Sequence, residues 1–278
     1  MTIASTAARA DRSRVAIIIP ARFASQRYPG KPLALLRGAG GRAKPLIERS
    51  WEAASLVSGI AKVLVATDDD RIRVAAEGFG AAVAMTSSAC RNGTERCAEA
   101  LAALPDHVDV IVNLQGDAPL TPPGFVEALA AYLADHPEAE VVTPVVRCTP
   151  ALHARLLADQ AAGRVGGTTA VLDRYGRALY FSKRVLPHVP AERVGEVGLP
   201  IFFHVGVYAY RRAALERYAA LPPSPLELLE GLEQLRFLEG GISVATVELA
   251  PPDADIWELN NPSDITQVEA GLRAAGID

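Results

Sequence analysis

The sequence predicts an α/β fold: a mostly parallel central sheet with helices on both faces. Three observations carry this. Short apolar runs within residues 15–20, 62–67 and 108–114 lack the alternation of a half-exposed strand, so they read as strands buried on both sides. Segments with helical periodicity or helix-start residues separate those runs. The chain has 278 residues, half of them apolar, enough for a substantial core.

The first strand ends at Pro20 and gives way to a loop holding Arg22, Arg27 and Lys31, with Gly30 beside the lysine. Open α/β sheets bind ligands just past the carboxyl ends of their strands. RGAGGRA, residues 37–43, is Gly-rich enough for a mobile connector. Pro45 suits the first turn of a helix reaching about residue 58, with Leu46, Ile47, Trp51, Ala54 and Val57 as its apolar stripe. Residues 62–67 are the second strand. Asp68, Asp69 and Asp70 then start a helix that runs to about Gly78. Residues 81–86 are the third strand, Asn92-Gly93-Thr94 opens a helix, and residues 108–114 are the fourth strand, ending at Gln115-Gly116-Asp117.

The later elements are less regular. A helix is expected at 124–134 and a strand at 140–147. TTAVLD and ALYFS read as a hairpin turning at Arg174-Tyr175-Gly176. Residues 186–200 form a loop, 202–210 a strand and 212–220 a helix. One long helix should run from Pro225 to the Gly240-Gly241 stop, followed by a strand at 242–249 and a helix at 262–275. Neither a linker nor an internal repeat divides the chain.

Composition excludes several classes. Net charge is −4 and no block of like charges suggests a nucleic-acid surface. MTIASTAARADRSR lacks the apolar centre of a secretory signal, and no apolar stretch approaches a membrane span. Cys90, Cys97 and Cys148 form no metal pattern, and their odd number argues against a disulfide framework. A cytoplasmic protein is expected.

Guanidinium forks and a lysine point charge suit phosphate oxygens, so Arg22, Arg27 and Lys31 are candidates for a polyphosphate cradle. The loop is not a Walker A motif, and a solvated basic loop is the alternative. Asp117, just past a buried strand, would project into the same crevice. It is either a Mg²⁺ ligand or an ordinary turn aspartate. The segment 92–96 presents orphan helix N–H groups to a polar ligand, or is simply a capped helix. His204 sits between apolar residues, as core or as ligand. His107, His136, His153 and His188 fall in no pattern.

Taken together, IIPARFASQRYPGKPL, VLVATDDDRI, NGTERCAEA, VDVIVNLQGDAPL, ALYFSKRVLP, FHVGVYAYRR and PSPLELLEGLEQLRFLEGG resemble, in order, the motifs of the CMP-KDO synthetases, the 3-deoxy-manno-octulosonate cytidylyltransferases. The resemblance spans nearly the whole chain. It implies a Rossmann-like nucleotidyltransferase fold with a β-rich segment over the active-site cleft, and a cytoplasmic homodimer acting in lipopolysaccharide biosynthesis. The reaction implied is transfer of CMP from CTP to an acidic sugar, with Mg²⁺. The whole of 1–278 is then one domain, with a nucleotide-binding half at 14–147 and an acceptor-binding and dimerisation half at 148–278.

The resemblance also assigns residues. Arg22, Ser25, Arg27 and Lys31, with Ala21 beside them, match the triphosphate signature. Gly93, Thr94, Glu95 and Arg96 match the stretch near the base and ribose. Asp117 matches a Mg²⁺ ligand and Gln115 a neighbouring sugar contact. His204 and Tyr208 match an H-x-G-x-Y strand lining the sugar pocket. Glu227, Glu230 and Gln234 lie near that pocket, and Lys183 stands where arginine is usual. Asn260, in LNNPSDI, replaces the second metal aspartate of a VDTPEDL-like motif. It brings a carbonyl oxygen but no charge, and Asp253, Asp255 and Glu258 are the carboxylates at hand to substitute. Further departures are Leu228, Ala118, Cys90, Asn92 and the GGTT at 166–169. Most lie on the acceptor side. The alternatives are therefore a paralogue for an amino-octulosonate, nonulosonate or phosphonate, and a non-catalytic CTP-binding relative.

Overall fold

A computed structural model describes residues 12–25, 27–251 and 258–278. The strand β1 (Val15–Ala21) lies at its centre, buried at every position but Pro20. Ala16 and Ile18 pack into one core, and Val15, Ile17, Ile19 and Ala21 into another on the opposite face. This two-sided burial is what an apolar run without alternation demands.

The first half continues with β2 (Leu35–Arg37), β3 (Ala43–Pro45), α1 (Leu46–Ser55), β4 (Lys62–Thr67), α2 (Asp70–Gly78), β5 (Ala82–Met85), α3 (Gly93–Glu99) and β6 (Val110–Leu114). β5, β4, β1 and β6 pair in parallel in that spatial order. Residues 37–43, expected as a mobile connector, instead close the ordered β2–β3 hairpin. Buried Arg49 holds it, donating from Nη2 to the carbonyls of Leu36 at 2.8 Å and Arg42 at 2.9 Å. The chain's last residues brace its turn, where Gly40 N donates to Asp278 Oδ1 at 3.0 Å.

The second half comprises α4 (Pro123–Asp135), β7 (Val141–Arg147), α5 (Pro150–Ala161), β8 (Thr168–Leu172), β9 (Ala178–Ser182), β10 (Phe202–His204), β11 (Val207–Arg211), α6 (Arg212–Ala220), α7 (Pro225–Glu230), α8 (Leu235–Glu239), β12 (Val244–Leu249) and α9 (Ile265–Ala274). The sequence reading assigned no element to α5, although Thr149 caps it by accepting from Leu152 N at 3.1 Å. The strand expected at 202–210 breaks at Val205-Gly206. β11 enters antiparallel between β6 and β7, whereas β10 lies antiparallel between β7 and β8. β8 and β9 form the expected hairpin, and β12 lies parallel to β7. The sheet is therefore mixed, parallel in its core and antiparallel beyond it.

The long helix from Pro225 is also two helices. Gly231 takes φ 61° and ends α7, a left-handed conformation that costs glycine little. A Ser224/Glu227 capping box starts α7.

The parallel strands β1 and β6 end side by side, and their following loops nearly touch. A Cβ added at Gly116 would lie 2.7 Å from the Pro20 carbonyl oxygen, so only glycine lets the chain turn there. Gly116→Ala should therefore lower stability by about 1–3 kcal/mol in denaturant unfolding, the usual scale of overpacking. Unchanged stability would mean that the two strand ends are not held this closely.

Candidate active site

Three segments far apart in sequence meet at the carboxyl ends of β1 and β6. From the loop after β1, Lys31 Nζ pairs with Asp117 Oδ2 at 2.5 Å, with the side chains 14% and 24% exposed. The Asp117 carbonyl accepts from Leu259 N at 2.9 Å, drawing in the segment before α9. There Asn260 Oδ1 accepts from Arg27 Nη2 at 2.9 Å, and Asn260 Nδ2 donates to Glu258 Oε2 at 3.3 Å. Asp264 accepts from Asn260 N and Asn261 N, fixing that turn at the start of α9. Burial, and then the charge of Asp117, push the Glu258 carboxyl up to about 7, against the opposing pull of Asn260, Lys31 and Arg27. Ala21 is the buried last residue of β1; Arg22 is exposed on the loop, and Ser25 lies beside it, half-buried. Asp253 and Asp255 lie outside the described residues.

A second group gathers at the start of α3. Asn92 caps the helix, its Oδ1 accepting from Glu95 N at 2.8 Å. Gly93 packs on the end of β1, where an added Cβ would lie 3.2 Å from Pro20 Cγ. Thr94 Oγ1 pairs with Tyr210 Oη at 3.0 Å. Glu233 joins this group to Gln115: its carboxylate accepts from Thr94 N at 3.0 Å and from Gln115 Nε2 at 3.2 Å. Burial raises the Glu233 carboxyl above its ordinary range, while those two donors oppose the rise. Sequence reasoning missed Glu233. On one continuous helix it would share a face with Glu230, three residues earlier, but the break at Gly231 places it in the turn between α7 and α8.

The other predicted residues sit around this crevice with partners of their own. Buried Arg96 donates to Thr86 Oγ1 at 2.5 Å and lies 3.5 Å from Asp68, tying α3 to the ends of β4 and β5. Glu227 forms a bidentate pair with Arg236, both contacts at 2.6 Å. Glu230 accepts from Ser182 Oγ at 2.7 Å and Lys183 N at 3.0 Å. The Lys183 ammonium lies over Gly231, 3.0 Å from where a Cβ would stand. Gln234 is buried with its Nε2 unpartnered among the described residues.

His204 and Tyr208 flank the break between β10 and β11, both buried. The single Thr143 hydroxyl proton goes to the Val207 carbonyl at 2.8 Å, so His204 Nε2, 2.9 Å away, is the donor to Thr143 Oγ1. Burial pushes the His204 imidazolium down to about 3, leaving the ring neutral. Tyr208 stacks on Tyr210, and burial together with Glu233 and Glu258 raises its phenol well above the ordinary range.

A basic loop beside a strand-end carboxylate suits phosphate oxygens, and the crevice also presents oxygen donors of the kind Mg²⁺ accepts. Asp117, Glu258 and the Asn260 carbonyl are hard oxygen donors, and Mg²⁺ needs few of these beside phosphate and water. A groove between α1, the start of α4 and the end of α9 lies elsewhere and is lined by none of these residues.

A family model described as Cytidylyltransferase matches residues 16–244. The chain belongs to that family. It is a CTP-dependent nucleotidyltransferase, and its relatives agree in name. This cytidylyltransferase is 42% identical over 262 residues to the 3-deoxy-manno-octulosonate cytidylyltransferase of Maricaulis maris, covering 94% of this chain and 98% of the relative. It is 38% identical over 266 residues to the enzyme of that name from Zea mays, covering 96% of this chain and 83% of the relative. Among solved structures, it matches a CMP:2-keto-3-deoxy-manno-octonic acid synthetase complexed with CTP at a TM-score of 0.79 and 34% identity. That match covers 95% of this chain and all of the other. A 4-diphosphocytidyl-2C-methyl-D-erythritol synthase from Anaerococcus prevotii, at 16% identity and a TM-score of 0.57, shares the fold.

A buried neutral His204 makes stability depend on pH. Its folded pKa of about 3 lies below the ordinary 6.5, so the unfolded chain binds more protons between those values and stability falls as pH drops below 6.5. Between pH 7 and pH 5 this one residue should cost about 2 kcal/mol. His204→Gln should flatten the fall in denaturant unfolding across that range; an unchanged slope would mean His204 is not held neutral.

Proposed function

We propose that this cytidylyltransferase transfers CMP from CTP to KDO (3-deoxy-D-manno-octulosonate), releasing pyrophosphate. The observation that carries the reading is the Lys31–Asp117 pair, which sets a phosphate-type cation against a strand-end carboxylate at the crevice where open α/β sheets bind nucleotides. The names of the relatives and of the CTP-bound neighbour support KDO as the acceptor.

The reaction is an in-line displacement. The acceptor's anomeric hydroxyl attacks the α-phosphorus, its proton passes to solvent, and the bond from that phosphorus to the bridging oxygen breaks as pyrophosphate leaves. Such chemistry needs positioning and charge neutralisation more than covalent help. Arg22, Arg27 and Lys31 meet the triphosphate and the charge that develops on the leaving group. Thr94, at the start of α3, and Gln115 border the nucleoside. When bound, Mg²⁺ would neutralise charge at the α-phosphate, and Asp117 is placed to hold it, with Asn260 the position that the resemblance adds. Lys183, Gln115 and Glu233 are the polar groups nearest an acidic acceptor, and Tyr208 and His204 form the wall behind them.

The partners are thus CTP and an acidic sugar, with no nucleic acid or membrane, in the cytoplasm. No helix among the described residues is long and apolar enough to cross a membrane. A homodimer fits the apolar surface of α7 and β9, where Leu226, Leu228, Leu229 and Leu179 are all exposed, Leu229 by 84%.

Pyrophosphate release from CTP with Mg²⁺ should occur with KDO and not with an amino-octulosonate, a nonulosonate or a phosphonate. Turnover of one of these instead would reassign the acceptor, and no turnover with any would contradict the function. Lys31→Ala should lower kcat/KM at least about 100-fold, the scale of one lost transition-state charge contact; near-normal turnover would remove Lys31 from the phosphate cradle. Leu229→Glu should convert a dimer to a monomer in sedimentation analysis. A wild-type monomer, or an unchanged dimer in the variant, would move or remove the interface.

A further inference from the structure

The resemblance places a second metal carboxylate at residue 260, where this chain carries an amide. We propose that Glu258 supplies that carboxylate beside Asp117, and that Asn260 is a positioning residue for it. The proposal rests on the functional reading above.

Four observations carry it. The Asn260 oxygen, the one atom of that side chain able to ligate a cation, already accepts from the Arg27 guanidinium at 2.9 Å. Asn260 Nδ2 donates to Glu258 Oε2 at 3.3 Å, holding the glutamate side chain in place. Leu259 between them is fully buried, whereas Glu258 and Asn260 are half-buried and bonded to one another, so the two polar side chains lie together on the side away from the Leu259 core. The longer glutamate therefore reaches from two residues earlier to where a shorter acid at 260 would act. The Leu259 N–Asp117 O bond of 2.9 Å sets this segment alongside Asp117, and Glu258 Oε1 lies toward Gly206 and Gln115. A Cβ at Gly206 would lie 3.4 Å from that oxygen and 3.8 Å from Gln115 Cγ.

The test is titration of the free full-length protein with Mn²⁺ alone, followed by the electron paramagnetic resonance of the unbound ion. Wild type should bind one Mn²⁺, and Glu258→Gln, close in shape, should weaken binding at least about tenfold. Because a change in a packed site can disturb folding, the second variant is Glu258→Gln with Asn260→Asp, which restores a carboxylate two residues later. It should recover affinity to within about threefold of wild type. Unaltered Mn²⁺ affinity in Glu258→Gln, no Mn²⁺ site in wild type, or a double variant no better than the single one would each overturn the proposal. Pyrophosphate release by wild type from CTP and KDO reports on the function separately, whichever way the Mn²⁺ titration falls.

Discussion

The site depends on one ion pair, Lys31 with Asp117, which bridges the loop after β1 to the turn after β6. Lys31 opens a single 3₁₀ turn, Lys31–Leu33, and Asp117 lies in the turn after β6. Each is held only because its strand is locked into the parallel core, where every residue of β6 is buried. A half-buried pair of this kind adds little net stability, since desolvation offsets much of the attraction. Its consequence is positional. Removing one partner would strand a charge in the crevice, so the pair holds cation and carboxylate side by side there.

The crevice divides around that pair into two sides built on different principles, which the proposed function reads as a donor side and an acceptor side. The donor side is parallel sheet and strand-end loops, with its polar groups presented from the ends of β1 and β6 and from the start of α3. The acceptor side is antiparallel, created where β10 and β11 part around Gly206. Thr143 stabilises the parting by accepting from His204 and donating to Val207. Glu233 joins the two sides, because it accepts from the start of α3 and from Gln115 at once.

Much of the donor side was legible in the sequence. β1, β4 and β6 are unalternating apolar runs, and Pro20 and Gly116 mark where they stop, so the positions of Arg27, Lys31 and Asp117 followed. What escaped was set by tertiary contacts. RGAGGRA looks mobile until Arg49 and the chain terminus bind it, partners that no local pattern reveals. The periodicity after Pro225 suggests one helix, but the left-handed Gly231 splits it and turns Glu233 toward Gln115. The break within 202–210 leaves no local signal beyond Gly206, because it depends on which neighbours β7 offers. Arg96 and Glu227 match family motifs, yet here they hold Thr86 and Arg236, roles visible only once the partners are in place.

The central claim is that Lys31 and Asp117 serve one nucleotide site, the lysine toward the triphosphate and the carboxylate toward Mg²⁺. A crystal structure of the protein with CTP and Mg²⁺ tests it most directly. The account predicts Lys31 Nζ within hydrogen-bond distance of a phosphate oxygen and no longer paired with Asp117, whose carboxylate faces the metal. An intact Lys31–Asp117 pair, with the triphosphate bound elsewhere, would contradict it.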